Sequence, residues 1–231
     1  MNRSDVGTVP ASESRTSRSF DIGVTIMNSA SLEEIAPPAL GPSSAGMLMT
    51  PEEFDAVTDY DDEFRYELIR GLLVVNPVPA EAEADPNDEL GAMLRTYQHE
   101  DPRGAIVDAT LPERYIRTSN GRRRADRVIW AGLGRRPDAA LDVPTIAIEF
   151  VSASRRDRLR EYVERRREYQ EAGVVEHWIV DRFHRQMIIF RHSGGETAEV
   201  RVGEAETYTT PLLPGFELVL APLLAAADRW A

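Results

Sequence analysis

Three acids sit where a chain folding around an apolar core would rather place none: Glu67 in YELIRG, Asp126 in RRADRVIW and Glu149 in TIAIEFVSASRRD. Ile146, Ile148, Phe150 and Val151 make the last run apolar on both faces. A charge at its centre is costly unless a partner cation or a metal balances it. One such acid alone is most simply half of a salt bridge. Three in comparable positions suit a hard divalent cation such as Mg²⁺, which takes one or two carboxylates plus water and completes its shell with substrate phosphate. Strand alternation puts Asp126 on a face with Val128 and Trp130, and Glu149 on one with Ala147 and Val151. Neighbouring strands can therefore aim both carboxylates at one point.

The elements that must hold these acids follow from hydrophobic period and turn residues. Thr50, Pro51 and Glu53 form a capping box that opens a short helix in TPEEFDAVTD. FRYELIRGLLVVNP reads as a hairpin turning near Arg70 and Gly71, and NDELGAMLRTYQ has the spacing of a helix. Short strands are expected at GAIVDAT, ERYIRTS, ADRVIW and TIAIEFVS. A helix from about Arg155 to Ala172, closed by Gly173, then leads into the strand EHWIVD. QMIIFRH and AEVRVG are hairpin-like, and APLLAAADRW is a closing helix. Hairpins on one side and a strand–helix–strand unit on the other predict an α/β fold of mixed α+β character, a mixed sheet flanked by helices. Residues 1–47, rich in Ser, Pro, Gly and Ala with Phe20 as their one aromatic, read as a mobile leader before a single domain over 48–231.

Two groups of arginines lie near the acids. Within the helix after Glu149, Leu159, Tyr162, Val163, Arg166 and Tyr169 recur at spacings of three or four. Arg165 turns to the same inner side, either as a snorkelling side chain or as a guanidinium beside the carboxylates facing phosphate. In NGRRRADR, Arg122, Arg123, Arg124 and Arg127 surround Asp126. They form either a basic patch for a DNA backbone or a turn of solvated arginines.

Composition narrows the chemistry. At 231 residues, 42% hydrophobic and 29% charged, the chain is of globular type, and no apolar run is long enough to span a bilayer. The absence of cysteine rules out disulfides and thiolate chemistry and fits a cytoplasmic location. All 27 basic residues are arginine, so no lysine-dependent step is available. A net charge of −12 disfavours non-specific nucleic-acid binding and requires any such role to use a local surface. The four histidines lack zinc-hydrolase spacing, Ser152 and Ser154 lack a nucleophile elbow, and GLGRRP lacks the third glycine of a dinucleotide fingerprint.

The succession MTPEEFDAVTD, YELIRG, ADRVIW, IAIEFVSASRRDR, REYVERRREYQEAGVVEHWIVD and LLPGFEL resembles the Uma2 family, also called DUF820, of restriction-endonuclease-like proteins. The resemblance runs from about residue 48 to near the C-terminus. It implies a PD-(D/E)XK nuclease core, commonly a homodimer, with Glu67 as the early acid, Asp126 at the PD position and Glu149 as the acid of the (D/E)XK strand. Asp126 and Glu149, with the backbone carbonyl of Phe150, would hold Mg²⁺ or Mn²⁺, Glu67 would bind metal or orient water, and Arg165 would meet the scissile phosphate of DNA. Two positions depart from the family pattern: Ala125 stands for its proline, and Arg165 for the lysine of the following helix. Arginine keeps the positive charge but does not give up its proton at ordinary pH. Beside a metal-dependent endonuclease, the sequence thus admits a catalytically weak or inactive nuclease-fold dimer serving as a binding module.

Overall fold

The computed structural model describes residues 39–152 and 158–230, with the backbone alone for 158–163. Residues 1–38 of the expected leader lie outside the described residues, as do Ser154, the helix start at Arg155 and the side chains of Leu159, Tyr162 and Val163. The rest of the expected leader belongs to the folded part. Leu40 is buried and bridges Tyr60, while Gly46 and Met47 hydrogen-bond to Leu73.

Helix α1 (Pro51–Asp55) opens with the expected capping box, Thr50 Oγ1 accepting from the Glu53 N–H at 3.1 Å and Glu53 Oε2 from the Thr50 N–H at 2.7 Å. Strands β1 (Phe64–Ile69) and β2 (Leu72–Pro77) form the hairpin. Its turn residues Arg70 and Gly71 both have positive φ, 53° and 81°, as a two-residue turn matched to strand twist requires. Helix α2 (Glu81–Glu100) starts earlier than its apolar period suggests and carries Pro86 within it.

The segments GAIVDAT and ERYIRTS, expected as separate strands, are largely one strand, β3 (Val107–Thr118). It pairs with β4 (Gly121–Ala131), which is likewise longer than expected and takes in Arg122, Arg123 and Arg124. Then follow β5 (Ile146–Phe150), α3 (Arg158–Ala172), β6 (Glu176–Asp181), β7 (Gln186–Ser193), β8 (Glu196–Gly203), the short β9 (Thr207–Tyr208) and β10 (Leu218–Val219), and α4 (Leu220–Asp228).

The main sheet has the order β2-β1-β4-β5-β6-β7-β8, with β3 also paired to β4. Only β5 and β6, joined through α3, pair in parallel. On one face Leu90 and Leu94 of α2 and Leu223 and Leu224 of α4 pack on Ile146, Ile148, Phe150 and Trp178. On the other, Tyr169 of α3 packs with Val128, Trp130 and Ala147. This is the mixed sheet flanked by helices that the sequence predicts. No described helix is long and apolar enough to cross a membrane.

Candidate functional site

The site is built on a fork in the sheet. Strand β4 pairs with β1 at Arg122 and with β5 from Arg127 to Ile129. Between these contacts, on the edge facing β1 and β5, its backbone groups need other partners. The side chains singled out in the sequence supply them. Glu67 Oε1 accepts from the Arg124 N–H at 2.9 Å, and Arg165 Nη1 donates to the Arg124 carbonyl at 2.9 Å. Asp126 Oδ2 accepts from the Phe150 N–H at 2.7 Å, closing the fork on the β5 side.

Behind the fork, Arg165 joins two of the acids. Its Nη1 lies 2.8 Å from Glu149 Oε1 and its Nη2 3.2 Å from the Glu67 carboxylate, and all three residues are buried. Tyr169, one turn further along α3, donates its hydroxyl to Glu149 Oε1 at 2.7 Å. Burial, and then the charge of Glu149, push the Tyr169 phenol well above its ordinary range, so it remains a donor. Arg165 thus comes to the acids, as its position on α3 suggests. It is fully buried, however, and does not face a phosphate from the surface.

Asp126 looks the other way. With Glu67, Phe150 and Ser152 it lines an open cleft of about 420 Å³, whose walls also include Arg65, Glu83, Glu113 and Arg124. The Asp126 carbonyl accepts from Asn87 Nδ2 of α2 at 2.9 Å, and Asn87 Oδ1 accepts from Arg127 Nε at 2.6 Å. Glu113, at φ 49°, places its carboxylate between Arg65 Nε, 2.9 Å, and Arg124 Nη2, 2.8 Å. Burial raises the affinity of Glu113 for a proton, but the two guanidinium groups outweigh it and hold this carboxyl below its usual range.

The expected basic patch of Arg122, Arg123, Arg124 and Arg127 is not a free basic surface. Strand β4 extends through these residues, and carboxylates from distant segments cover two of them: Asp55 of α1 pairs with Arg122 at 2.7 Å, and Glu168 of α3 pairs with Arg123. Arg127 is buried under α2, bound by Asn87 and by Thr110 Oγ1 at 3.3 Å, with no carboxylate within 4.0 Å among the described residues. Its guanidinium lies where a Cβ on Gly91 would come within 2.6 Å. Only Arg124 of the four reaches the cleft, stacked over the Tyr115 ring at 5.4 Å.

The donor set meets the chemistry of a hard cation. Four carboxylates (Glu67, Glu83, Glu113 and Asp126) and two guanidinium groups (Arg65 and Arg124) line the cleft, and carboxylate oxygens are the donors a hard divalent ion takes. Among the described residues no three acid or histidine side chains form a ready cage. The sequence reading missed Tyr169 as a partner of Glu149, although its spacing of four from Arg165 marks it. It also missed Asn87 and Glu113, whose roles depend on long-range pairing and carry no local signal.

Comparison with known proteins finds a family and similar solved structures. The Uma2 family model, described as "Putative restriction endonuclease", matches residues 51–223. Among solved structures, the fold is similar to the crystal structure of "a putative nuclease belonging to DUF820" from Anabaena variabilis ATCC 29413, with a TM-score of 0.63 and 15% sequence identity, covering 78% of this chain and 99% of that one. At that identity the likeness is one of fold. No curated protein matches the chain.

Proposed function

This chain belongs to the Uma2 family, and on that premise we propose that it is a nuclease hydrolysing DNA phosphodiester bonds with a divalent ion, Mg²⁺ or Mn²⁺, held in the cleft by Asp126 and the Phe150 carbonyl, while Glu149, expected as a further ligand, lies buried behind the cleft on Arg165 and Tyr169. The observation that carries this reading is the fork, where Glu67 of β1 and Asp126 of β4 line the cleft and Glu149 of β5, buried behind it, is joined to Glu67 through Arg165. When bound, the ion supplies Lewis acidity, lowering the pKa of water and neutralising phosphate charge.

The residues of the chain do the positioning. The Phe150 N–H fixes Asp126, while Arg165 and Tyr169 fix Glu149 from behind. Glu67, held by the Arg124 N–H and by Arg165, has its place in the cleft wall to orient the attacking water. Arg65 and Arg124, rather than buried Arg165, receive the phosphate. In this reading Arg165 keeps the electrostatic part of the family lysine's role and acts through the acids it holds. The homodimeric state and cytoplasmic setting expected from the sequence go with the same proposal.

The test is cleavage of supercoiled plasmid and single-stranded DNA with Mg²⁺ or Mn²⁺, with EDTA and Asp126→Asn as controls. Metal-dependent nicking that the variant loses is the expected result. Wild type and variant equally inactive with both metals on both substrates would leave a nuclease-fold binding module instead.

A further inference from the structure

A second cavity, of about 440 Å³, adjoins the cleft, and Arg65, Glu113 and Arg124 line both. Its walls hold five aromatic rings, Phe54, Tyr60, Phe64, Tyr66 and Tyr115, among 13 lining residues. At the chain's aromatic content of 7%, a lining of that size would hold about one. Phe54 and Tyr66 belong to the buried core beneath the cavity, with Phe64 and Tyr115 packed on it, and Tyr60 stands exposed at the edge.

The rings are held in place. Tyr115 donates its hydroxyl to the Tyr66 carbonyl at 3.0 Å, and Tyr66 donates to the Leu40 carbonyl at 3.1 Å. Phe54 meets Tyr115 edge to face at 5.5 Å, and Tyr60 meets Tyr66 at 6.1 Å. Tyr60 differs from the others: it is 56% exposed, and its hydroxyl makes no hydrogen bond among the described residues. An exposed ring at the edge of a fixed aromatic wall costs little to order against a ligand.

The charges indicate what kind of ligand fits. Three carboxylates and three guanidinium groups line this cavity, so it lacks the net positive charge that would draw a phosphate. Aromatic faces with guanidinium planes beside them stack on uncharged planar rings, and every nucleobase offers such a ring. We propose that this cavity is a subsite for an unpaired nucleobase next to the scissile phosphate, so that the preferred substrate is single-stranded or locally unpaired DNA. A base stacked inside a duplex has no free face to offer and must first leave the stack. The proposal rests on the nuclease reading for its substrate, but its test is one of binding alone.

The probes are two short single-stranded oligonucleotides, one carrying 2-aminopurine and one of the same length that is abasic at its central positions, titrated at low salt with Ca²⁺ in place of Mg²⁺. Wild type should quench the 2-aminopurine and bind the abasic strand about tenfold more weakly. Tyr60→Ala, a change at an exposed side chain, should bind the base-containing strand about tenfold more weakly than wild type and lose the discrimination. Equal binding of both strands by wild type, binding of neither, or a Tyr60→Ala protein that discriminates as wild type does would overturn the subsite. Failure of the nuclease reading shows separately, as absent cleavage with Mg²⁺ and Mn²⁺, and leaves base discrimination to be judged by itself.

Discussion

Arg165 Nη1 lies 2.8 Å from Glu149 Oε1, and neither residue exposes more than 1% of its surface to solvent. The same guanidinium reaches Glu67, 98 positions away in the chain, and the carbonyl of Arg124. One cation therefore links β1, β4 and β5 at the point where the sheet forks, and the alignment of the acids depends on it.

Removing this cation should be severe. Arg165→Met leaves two buried carboxylates without their counter-charge, a loss of about 3–5 kcal/mol in urea unfolding. Arg165→Lys keeps the charge but lacks the planar fork that serves Glu67 and Glu149 together, so it should cost less. A Met variant as stable as wild type would show that the pair does not stabilise the fold.

Tyr169→Phe removes the 2.7 Å hydrogen bond to Glu149 and a long one, 3.4 Å, accepted from Arg165 Nη1, and no ring packing. The expected loss is about 1.5–3 kcal/mol, the range for a bond to a charged group. Nuclease activity should fall with it because Glu149 loses a fixed partner on Oε1, and the size of that fall relative to Arg165→Lys ranks the two supports.

His177 lies fully buried between Tyr169, 4.9 Å away, and Phe190, 6.0 Å away, with neither ring nitrogen hydrogen-bonded among the described residues. Burial first, then the charges of Arg165, His192 and Arg166, push its pKa well below 6.5. The unfolded chain therefore takes up this proton before the native state does. Stability from this group is complete above the unfolded pKa and declines as pH falls below it, by about 1.4 kcal/mol per pH unit, until the native pKa is reached. Urea unfolding of wild type and His177→Phe on both sides of the ordinary histidine pKa should show a slope in wild type that the variant lacks. Parallel slopes would mean that His177 is protonated in the native state.

Gly121 sits where β1 joins β4, and a Cβ there would come 2.1 Å from the Leu68 carbonyl oxygen. Backbone cannot yield as a flexible side chain can. Gly121→Ala should cost about 1–3 kcal/mol or more and loosen the β1 side of the fork. An unchanged urea midpoint would count against this close approach.

The arginines of β4 should separate by function. Arg123→Gln removes the nearer of the two arginines paired with Glu168 and should reduce stability while leaving the salt dependence of DNA binding unchanged. Arg124→Gln, which acts in the cleft, should lower the salt slope by about one. If Arg123→Gln changes the slope as much as Arg124→Gln, the basic stretch meets DNA after all.

Local pattern was enough for much of this protein. The capping box at Thr50, the turn at Arg70 and Gly71, the helix stop at Gly173 and the apolar strand around Glu149 all depend on residues close in sequence, so short-range sterics and period reveal them. The placement of Glu67, Asp126 and Glu149 in strands follows from the same signals. The environment of the arginines does not. NGRRRADR has the composition of a solvated turn, yet β4 runs through it because β3 pairs along its whole length. Arg122 is then covered by Asp55, 67 positions away, and Arg123 by Glu168, 45 positions away. A charged side chain is exposed or buried according to whether distant carboxylates arrive to offset its desolvation, and only the tertiary structure decides which of them arrive.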